Sequence, residues 1–307
     1  MIALLGLGSA IIYGASDFFA GLASRRLSPL FVAFVSSIVA GLIVLLAVLV
    51  SGPTWSVETV TLGAVAGLLG SIGTWAFYAS LAIGPMSVIS PGVATIYAVV
   101  PAIAGIAMGE RFPSIGYVAL VAVVGAAILL SLHGGDRHAR VSPRAVLLGV
   151  VAGFGYAGYI IAIDRTAPES GLIPLLVDFL VAVLGFGLVL LVLRMRGSRT
   201  GEGAKAGAAE GGSESASAVT TPESSDAESR NRALLLSVAT GVTLAIGNIL
   251  LVIGLHIGDL AVMGVLNSLY PLGTVLLAMI VLRERLSILQ SAGVVLALGG
   301  SALLAVA

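Results

Sequence analysis

Ten apolar stretches of this chain each reach the length a helix needs to cross a hydrocarbon layer, and that leaves few folds open. A bilayer core about 30 Å thick takes roughly 20 apolar residues in an α-helix. The stretches run from Ile2 to Ala23, Leu30 to Val50, Val60 to Ile83, Met86 to Met108, Pro113 to Leu132, Ala145 to Ile163, Leu172 to Leu193, Ala233 to Ile257, Leu260 to Leu282 and Ile288 to Val306. Several are apolar on every face, without the alternation that a lipid-facing β-barrel requires. Apolar residues make up 58% of the 307 and charged residues only 10%, with a mean hydropathy of +1.13. A water-soluble globule could hardly stay dispersed with that balance. The expected fold class is an all-α membrane protein with ten transmembrane helices, multi-pass in the plasma membrane with the lipid bilayer as solvent. The opening "MIALLGLGSAIIYG" has no basic segment and stays apolar to Ala23, so it reads as a spanning helix and not a cleaved signal peptide, although the small residues from Ser9 to Ala15 could imitate a cleavage site.

Composition closes several functional classes. Lys and Arg number 15 against 15 Asp and Glu, so no basic field is offered to nucleic acid and no acidic tail to a cationic partner. Cysteine is absent, which removes disulfides, thiolate metal sites, thiol catalysis and S-palmitoylation together. His133, His138 and His256 form no H-E-x-x-H arrangement, and no phosphate-binding G-x-x-x-x-G-K-[ST] occurs. An intramembrane serine protease would need a His on a neighbouring helix as base, and only His256 adjoins a span, so that class is disfavoured. No enzyme activity, cofactor or metal is expected.

The chain repeats itself. A shift of 174 residues aligns Gly67 with Gly241, Gly73 with Gly247, Gly84 with Gly258, Glu110 with Glu284, Arg111 with Arg285 and Gly125 with Gly299. A shift of 143 matches Gly6 with Gly149 and Tyr13 with Tyr156. The unit is therefore five helices, residues 1–133 and 145–307, the second interrupted by a Gly-, Ala-, Ser- and Glu-rich linker at 194–231 that lacks aromatic residues and should be disordered. An odd number of crossings inserts the second unit upside down, giving two inverted five-helix repeats, the construction of transporters that bind substrate near the midplane.

Acidic residues inside the spans need an explanation. An Asp at a helix centre costs about 2.5 to 3.5 kcal/mol, and each Leu, Ile, Val or Phe returns about 0.3 to 0.6. The first span can carry Asp17 but cannot show it to lipid. Two roles fit: a functional carboxyl that binds substrate or a proton, and a structural one that accepts hydrogen bonds or pairs with Arg25. Asp178 in the seventh span and Asp164 beside Arg165 read as interfacial or structural. Glu110 and Arg111, with Arg283, Glu284 and Arg285, read as membrane-boundary anchors in tight turns.

Uncharged polar residues mark a cavity. In the third span Ser71, Thr74, Trp75 and Tyr78 recur at helical spacing; Asn248 in the eighth span aligns with Thr74; the fourth has Thr95 and Tyr97; the ninth has Asn267 and Tyr270. Their convergence on related helices suggests a central site, with packing or an interfacial aromatic belt as the alternative. Gly63, Gly67, Gly70 and Gly73 make a ridge for close helix approach. Pro91, Pro101 and Pro271 permit kinks that either widen the centre or are merely tolerated.

With these residues in place, the chain resembles the EamA-type family of the drug/metabolite transporter superfamily. The motifs that carry the resemblance are "YGASDF" in the first span, Ser28-Pro29 opening the second, "SLAIGPMSV" before the fourth, and "GERF" (Gly109 to Phe112) and "RERLS" (Arg283 to Ser287) late in each half. The resemblance covers nearly the whole chain apart from the linker. It implies a ten-helix carrier of small metabolites, often an exporter of amino acids and related compounds, with a cavity lined by both halves and coupled to ions or passive. Many relatives have a lysine near the end of the first span where this chain has Gly21 or Leu22, and Tyr97 stands where the second half has Pro271, so no mechanism resting on that lysine transfers. The expected binding residues are Asp17, Trp75, Tyr78, Tyr97, Asn248, Asn267 and Tyr270, for a small-molecule substrate with a proton or other ion as coupling partner. A lipid-linked carrier or flippase and a non-transporting scaffold are the rival readings.

Thirteen Lys and Arg lie in odd-numbered loops, six of them in the linker, against Arg111 and Arg165 in even-numbered ones. The positive-inside rule puts the odd loops and linker in the cytoplasm and both termini outside, whereas the family resemblance implies cytoplasmic termini. Because the chain has no cysteine, Ser213→Cys offers a single label site in the linker. A membrane-impermeant maleimide added to intact cells is expected to leave it unlabelled and to modify it once the membrane is opened.

Overall fold

The computed structural model describes residues 1–52, 54–83, 86–131, 142–207, 223–273, 277 and 288–306. Ten α-helices are present among them: α1 (Ile2–Ser24), α2 (Pro29–Ser51), α3 (Val57–Ile83), α4 (Met86–Ala107), α5 (Ser114–Ser131), α6 (Pro143–Asp164), α7 (Ile173–Gly207), α8 (Glu223–Ile257), α9 (Leu260–Asn267) and α10 (Ile288–Val306). Six are long and apolar enough to cross a membrane: α1, α2, α3, α6, α7 over Ile173–Arg196 and α8 over Glu228–Ile257. Gly92–Ala107, Ser114–Ala126, Leu260–Gly273 and Ser291–Gly300 are shorter apolar helical runs.

Local chemistry sets the helix ends. Ser28 accepts the N–H of Phe31 at 3.3 Å and Pro29 occupies the first helical position, where its missing N–H costs nothing. Ser142-Pro143 repeats the pattern at α6, without the side-chain bond. α2 ends on Gly52 at φ 58, in the left-handed region that a Cβ disfavours. α9 stops at Asn267, a turn follows at Ser268 and Leu269, and helix resumes at Tyr270. Pro271 accounts for the break: it has no N–H for the Asn267 carbonyl four residues earlier, and its ring crowds that carbonyl. The long ninth span read from the sequence is thus interrupted near its middle.

Helix reaches into the segment read as a linker from both sides. α7 continues through residues 194–207 and α8 begins at Glu223, so helix covers those parts of the segment. Glu202, Ala204, Lys205, Ala227 and Glu228 have good helix propensity, and a helix already formed in the span needs no new nucleus to extend. Residues 208–222 lie outside the described residues, as do Gly84, Arg283, Glu284 and Arg285.

Contacts between helices fix their directions. α1 lies antiparallel to α8, with Ile2 on Gly258, Tyr13 on Gly247 and Ser16 bonded to the Thr240 carbonyl. α3 lies antiparallel to α6, with Gly70 on Tyr159 and Gly73 on Tyr156. α6 and α8 run parallel, as Tyr159 meets Asn248 and Thr166 meets His256. α2 and α7 are antiparallel through Gly41–Phe179 and Phe34–Gly187, α4 and α9 through Pro101–Gly264 and Tyr97–Asn267, and α5 and α10 through Gly125–Leu296 and Val123–Gly300. Each helix of the first five therefore runs opposite to its equivalent in the second five. The pairing is also crosswise: α1 packs on the third helix of the other unit, and α6 does the same in return.

The glycine ridge of α3 makes these approaches possible. A methyl group at Gly63 would sit 2.7 Å from the Pro174 carbonyl, at Gly67 2.9 Å from the Asp178 backbone, and at Gly73 3.0 Å from the Tyr156 ring. Opposite them, one at Gly155 would lie 2.8 Å from the Gly73 Cα. The other face of α3 carries Val65, Leu68, Ile72 and Trp75, all exposed, and similar outward rows occur on α2 (Leu42, Leu45, Leu46, Leu49) and α7 (Leu184, Leu188, Leu191). Such a belt is the surface that lipid covers.

Gly155→Ala is expected to destabilise the bundle by about 1 to 3 kcal/mol, because backbone and not a flexible side chain must give way. At Gly185 nothing lies within 4 Å of an added Cβ, and Gly185→Ala is expected to stay within about 1 kcal/mol of wild type on the stabilising side. Thermal unfolding of the detergent-solubilised protein measures both.

Candidate functional site

Helix periodicity turns particular residues to one central space. Tyr13 and Asp17 lie one turn apart on α1; Gly70, Thr74 and Tyr78 recur at four-residue steps on α3; Tyr156 and Tyr159 share a face of α6; Asp178, Ala182 and Phe186 follow one another at four-residue steps on α7. With Ser37, Ser71, Tyr97, Phe179, Leu244, Asn248, Asn267 and Tyr270 they enclose about 780 Å³, part of it open to the surroundings. Six of the chain's seven tyrosines line it, so this residue type is concentrated on the wall, while Trp55, Trp75 and Phe154 are exposed on outer faces.

Rings and amides hold the wall together. Phe77 meets Tyr156 and Tyr270 edge to face, with centroids 6.0 and 6.4 Å apart, and Tyr97 meets Tyr156 at 6.2 Å. Asn267 donates to the Tyr97 hydroxyl at 2.8 Å and accepts from Ser9 at 2.9 Å, tying α9 to α4 and α1. Asn248 accepts from the Tyr159 hydroxyl at 2.5 Å and donates to the Leu244 carbonyl at 2.9 Å. Both asparagines are buried with their polar ends used, as a low-dielectric setting demands.

The carboxyl groups differ. Asp17 and Asp178 have no hydrogen-bond or ion-pair partner among the described residues, and no Lys, Arg or His lines the cavity. Both share the cavity with Tyr13, Tyr78, Tyr156 and Tyr159, and Asp178 and Tyr159 flank Gly70. The Ser71 hydroxyl, on the same wall, is buried without a partner.

Of the seven binding residues expected from sequence, Asp17, Tyr78, Tyr97, Asn248, Asn267 and Tyr270 line this cavity. Trp75 does not. It is 42% exposed on the outer face of α3 beside Ile72 and Leu68, one step of about 100° around the helix from Thr74. Asp178, read from sequence as interfacial or structural, is 6% exposed and faces the cavity, because Gly67 and Gly70 let α7 come close to α3. Tyr13 and Tyr156 were visible in the sequence as a match between the two halves, and the match itself was the signal that they occupy equivalent inward positions. Tyr159 follows from Tyr156 by helical spacing.

Glu110 has a more specific place than a boundary anchor. Gly109, at φ 108, turns the chain after α4, and the Glu110 carboxylate then accepts the N–H groups of Leu260 and Ala261 at 2.7 and 3.0 Å. It closes the start of α9, whose first N–H groups have no partner within the helix. Burial pushes the Glu110 carboxyl above its ordinary value, and the two N–H groups pull it part of the way back. A loop of the first unit thereby positions the helix of the second that carries Asn267.

Comparison with known proteins adds the following. The model of the EamA-like transporter family matches residues 1–132 and 143–306. Among curated proteins no sequence relative matches. A solved crystal structure superposes over 99% of this chain and 97% of its own, with a TM-score of 0.66 at 17% identity, a likeness of fold alone.

Glu110→Ala removes both acceptors from the α9 N-terminus and is expected to cost about 1 to 3 kcal/mol, read as a lower unfolding temperature in detergent. An unchanged transition would mean that water replaces the carboxylate fully.

Proposed function

The chain belongs to the EamA-like transporter family, and from that premise we propose that it is a secondary transporter or facilitator of small metabolites, an exporter of amino acids or related amphipathic solutes. The ten helices cross the bilayer as two inverted repeats, and rocking of one five-helix unit against the other exposes one midplane site to each side in turn. The observation that carries this reading is the cavity itself. It takes residues from α1 to α4 and from α6 to α9, so any relative motion of the units changes its shape. A scaffold needs no such space.

The lining suits an amphipathic solute: tyrosine rings and Phe179 and Phe186 for an apolar body, hydroxyls and amides for a polar end. Tyr78, Tyr97, Asn248, Asn267 and Tyr270 contact the solute, and Asp17 serves as the coupling group. A carboxyl without a partner in a mainly apolar wall can exchange a proton as its surroundings change from wet to dry.

Proteoliposomes loaded with a panel of amino acids and related metabolites are expected to show saturable flux for some of them, stimulated by a pH gradient. Asp17→Asn is expected to abolish the stimulation. Absence of saturable flux across a broad panel would overturn transport, and undiminished proton stimulation in the variant would overturn the role of Asp17.

A further inference from the structure

Resting on the transporter reading and naming its substrate class, we propose that the cavity binds an organic cation with an aromatic or apolar body, and that Asp178 is the side chain that pairs with its charge. Among the described residues the lining is one-sided in charge: two carboxyl groups, no Lys, Arg or His, and six phenol rings. An anion would meet two acids and no cationic donor. A neutral solute would leave the buried carboxyl either ionised and unpaired, which is costly in a low-dielectric site, or protonated, and in neither case would it use the charge. A cation removes that cost and also lies favourably against the faces of tyrosine rings.

Asp178 is the better placed of the two acids. It is 6% exposed, has no partner among the described residues, and lines the cavity from α7. The two buried asparagines of the wall have their polar ends used: Asn248 by Tyr159 and the Leu244 carbonyl, Asn267 by Ser9 and Tyr97. The contrast singles out Asp178 together with the buried, unpartnered Ser71 hydroxyl on facing α3. Gly70, next to Ser71 on α3, faces the carboxylate: a Cβ there would stand 3.6 Å from Asp178 Oδ1, within van der Waals contact, and 3.1 Å from the Tyr159 ring. An ammonium entering there finds two acceptors on the wall, the carboxylate and the hydroxyl, with the Tyr159 ring flanking Gly70 beside Asp178 and Tyr13 lining the same cavity.

The test uses purified full-length protein in detergent and radiolabelled benzyltrimethylammonium, with phenylacetate and benzyl alcohol as anionic and neutral competitors. Saturable binding that neither competitor displaces at comparable concentration is expected. Asp178→Asn should weaken it by about tenfold or more, the loss of one charge-assisted contact, while Asp178→Glu keeps part of it and Glu169→Gln, in an exposed loop, leaves it unchanged. Equal competition by phenylacetate or benzyl alcohol, or full binding by a folded Asp178→Asn, would overturn the proposal. If that variant does not fold, the competitor series on the wild type and Asp178→Glu still decides. Cation-selective, Asp178-dependent binding without flux in liposomes would sustain this inference and sink the transporter reading. Saturable flux of neutral or anionic solutes with no preference for cations would do the reverse.

Discussion

Two tyrosine rings rest on two glycines, and the rest of the arrangement depends on that contact. Tyr156 of α6 lies on Gly73 of α3, and Tyr13 of α1 lies on Gly247 of α8, each glycine marking where a Cβ would meet the ring at 3.0 and 3.4 Å. The two contacts are equivalent under the internal repeat, and each joins one five-helix unit to the other. Association of apolar helices in lipid gains little from the hydrophobic effect, so close packing through small residues is the main source of attraction. The same contacts turn both rings inward, and the cavity wall is thereby part of what holds the units together.

Polar satisfaction separates framework from site. In a medium without water a buried donor or acceptor needs a partner in the protein. Asn267 meets this condition by linking three helices, Asn248 by linking α6 and α8, and the α9 N-terminus by receiving Glu110 from the other unit. Asp17, Asp178 and the Ser71 hydroxyl do not meet it within the described residues. Groups that complete a network fix geometry; the groups left over at its centre are those on which the proposed binding role rests.

Helix α3 shows how one segment serves both environments. Gly63, Gly67, Gly70 and Gly73 face α6 and α7, whereas Val65, Leu68, Ile72 and Trp75 face outward. Trp75 and Thr74 are neighbours in sequence and lie on different sides, one toward lipid and one toward the cavity. Residue type did not separate them, since a tryptophan suits an interfacial belt and a binding wall equally well.

The sequence by itself determined the all-helical membrane class, the duplication, the family, the glycine ridge and most of the polar cavity wall, because each of these rests on period, length or spacing along one helix. Tyr13 with Tyr156 and Gly73 with Gly247 were legible as matches between halves, though not as partners. Only the tertiary structure decided that α1 packs on α8 and α6 on α3, that Asp178 faces inward and Trp75 outward, and that Glu110 closes the start of α9. The physical reason is that an apolar helix has no outer face of its own in lipid. Which side is buried is settled by the neighbour that comes closest, and that neighbour belongs to the other half of the chain.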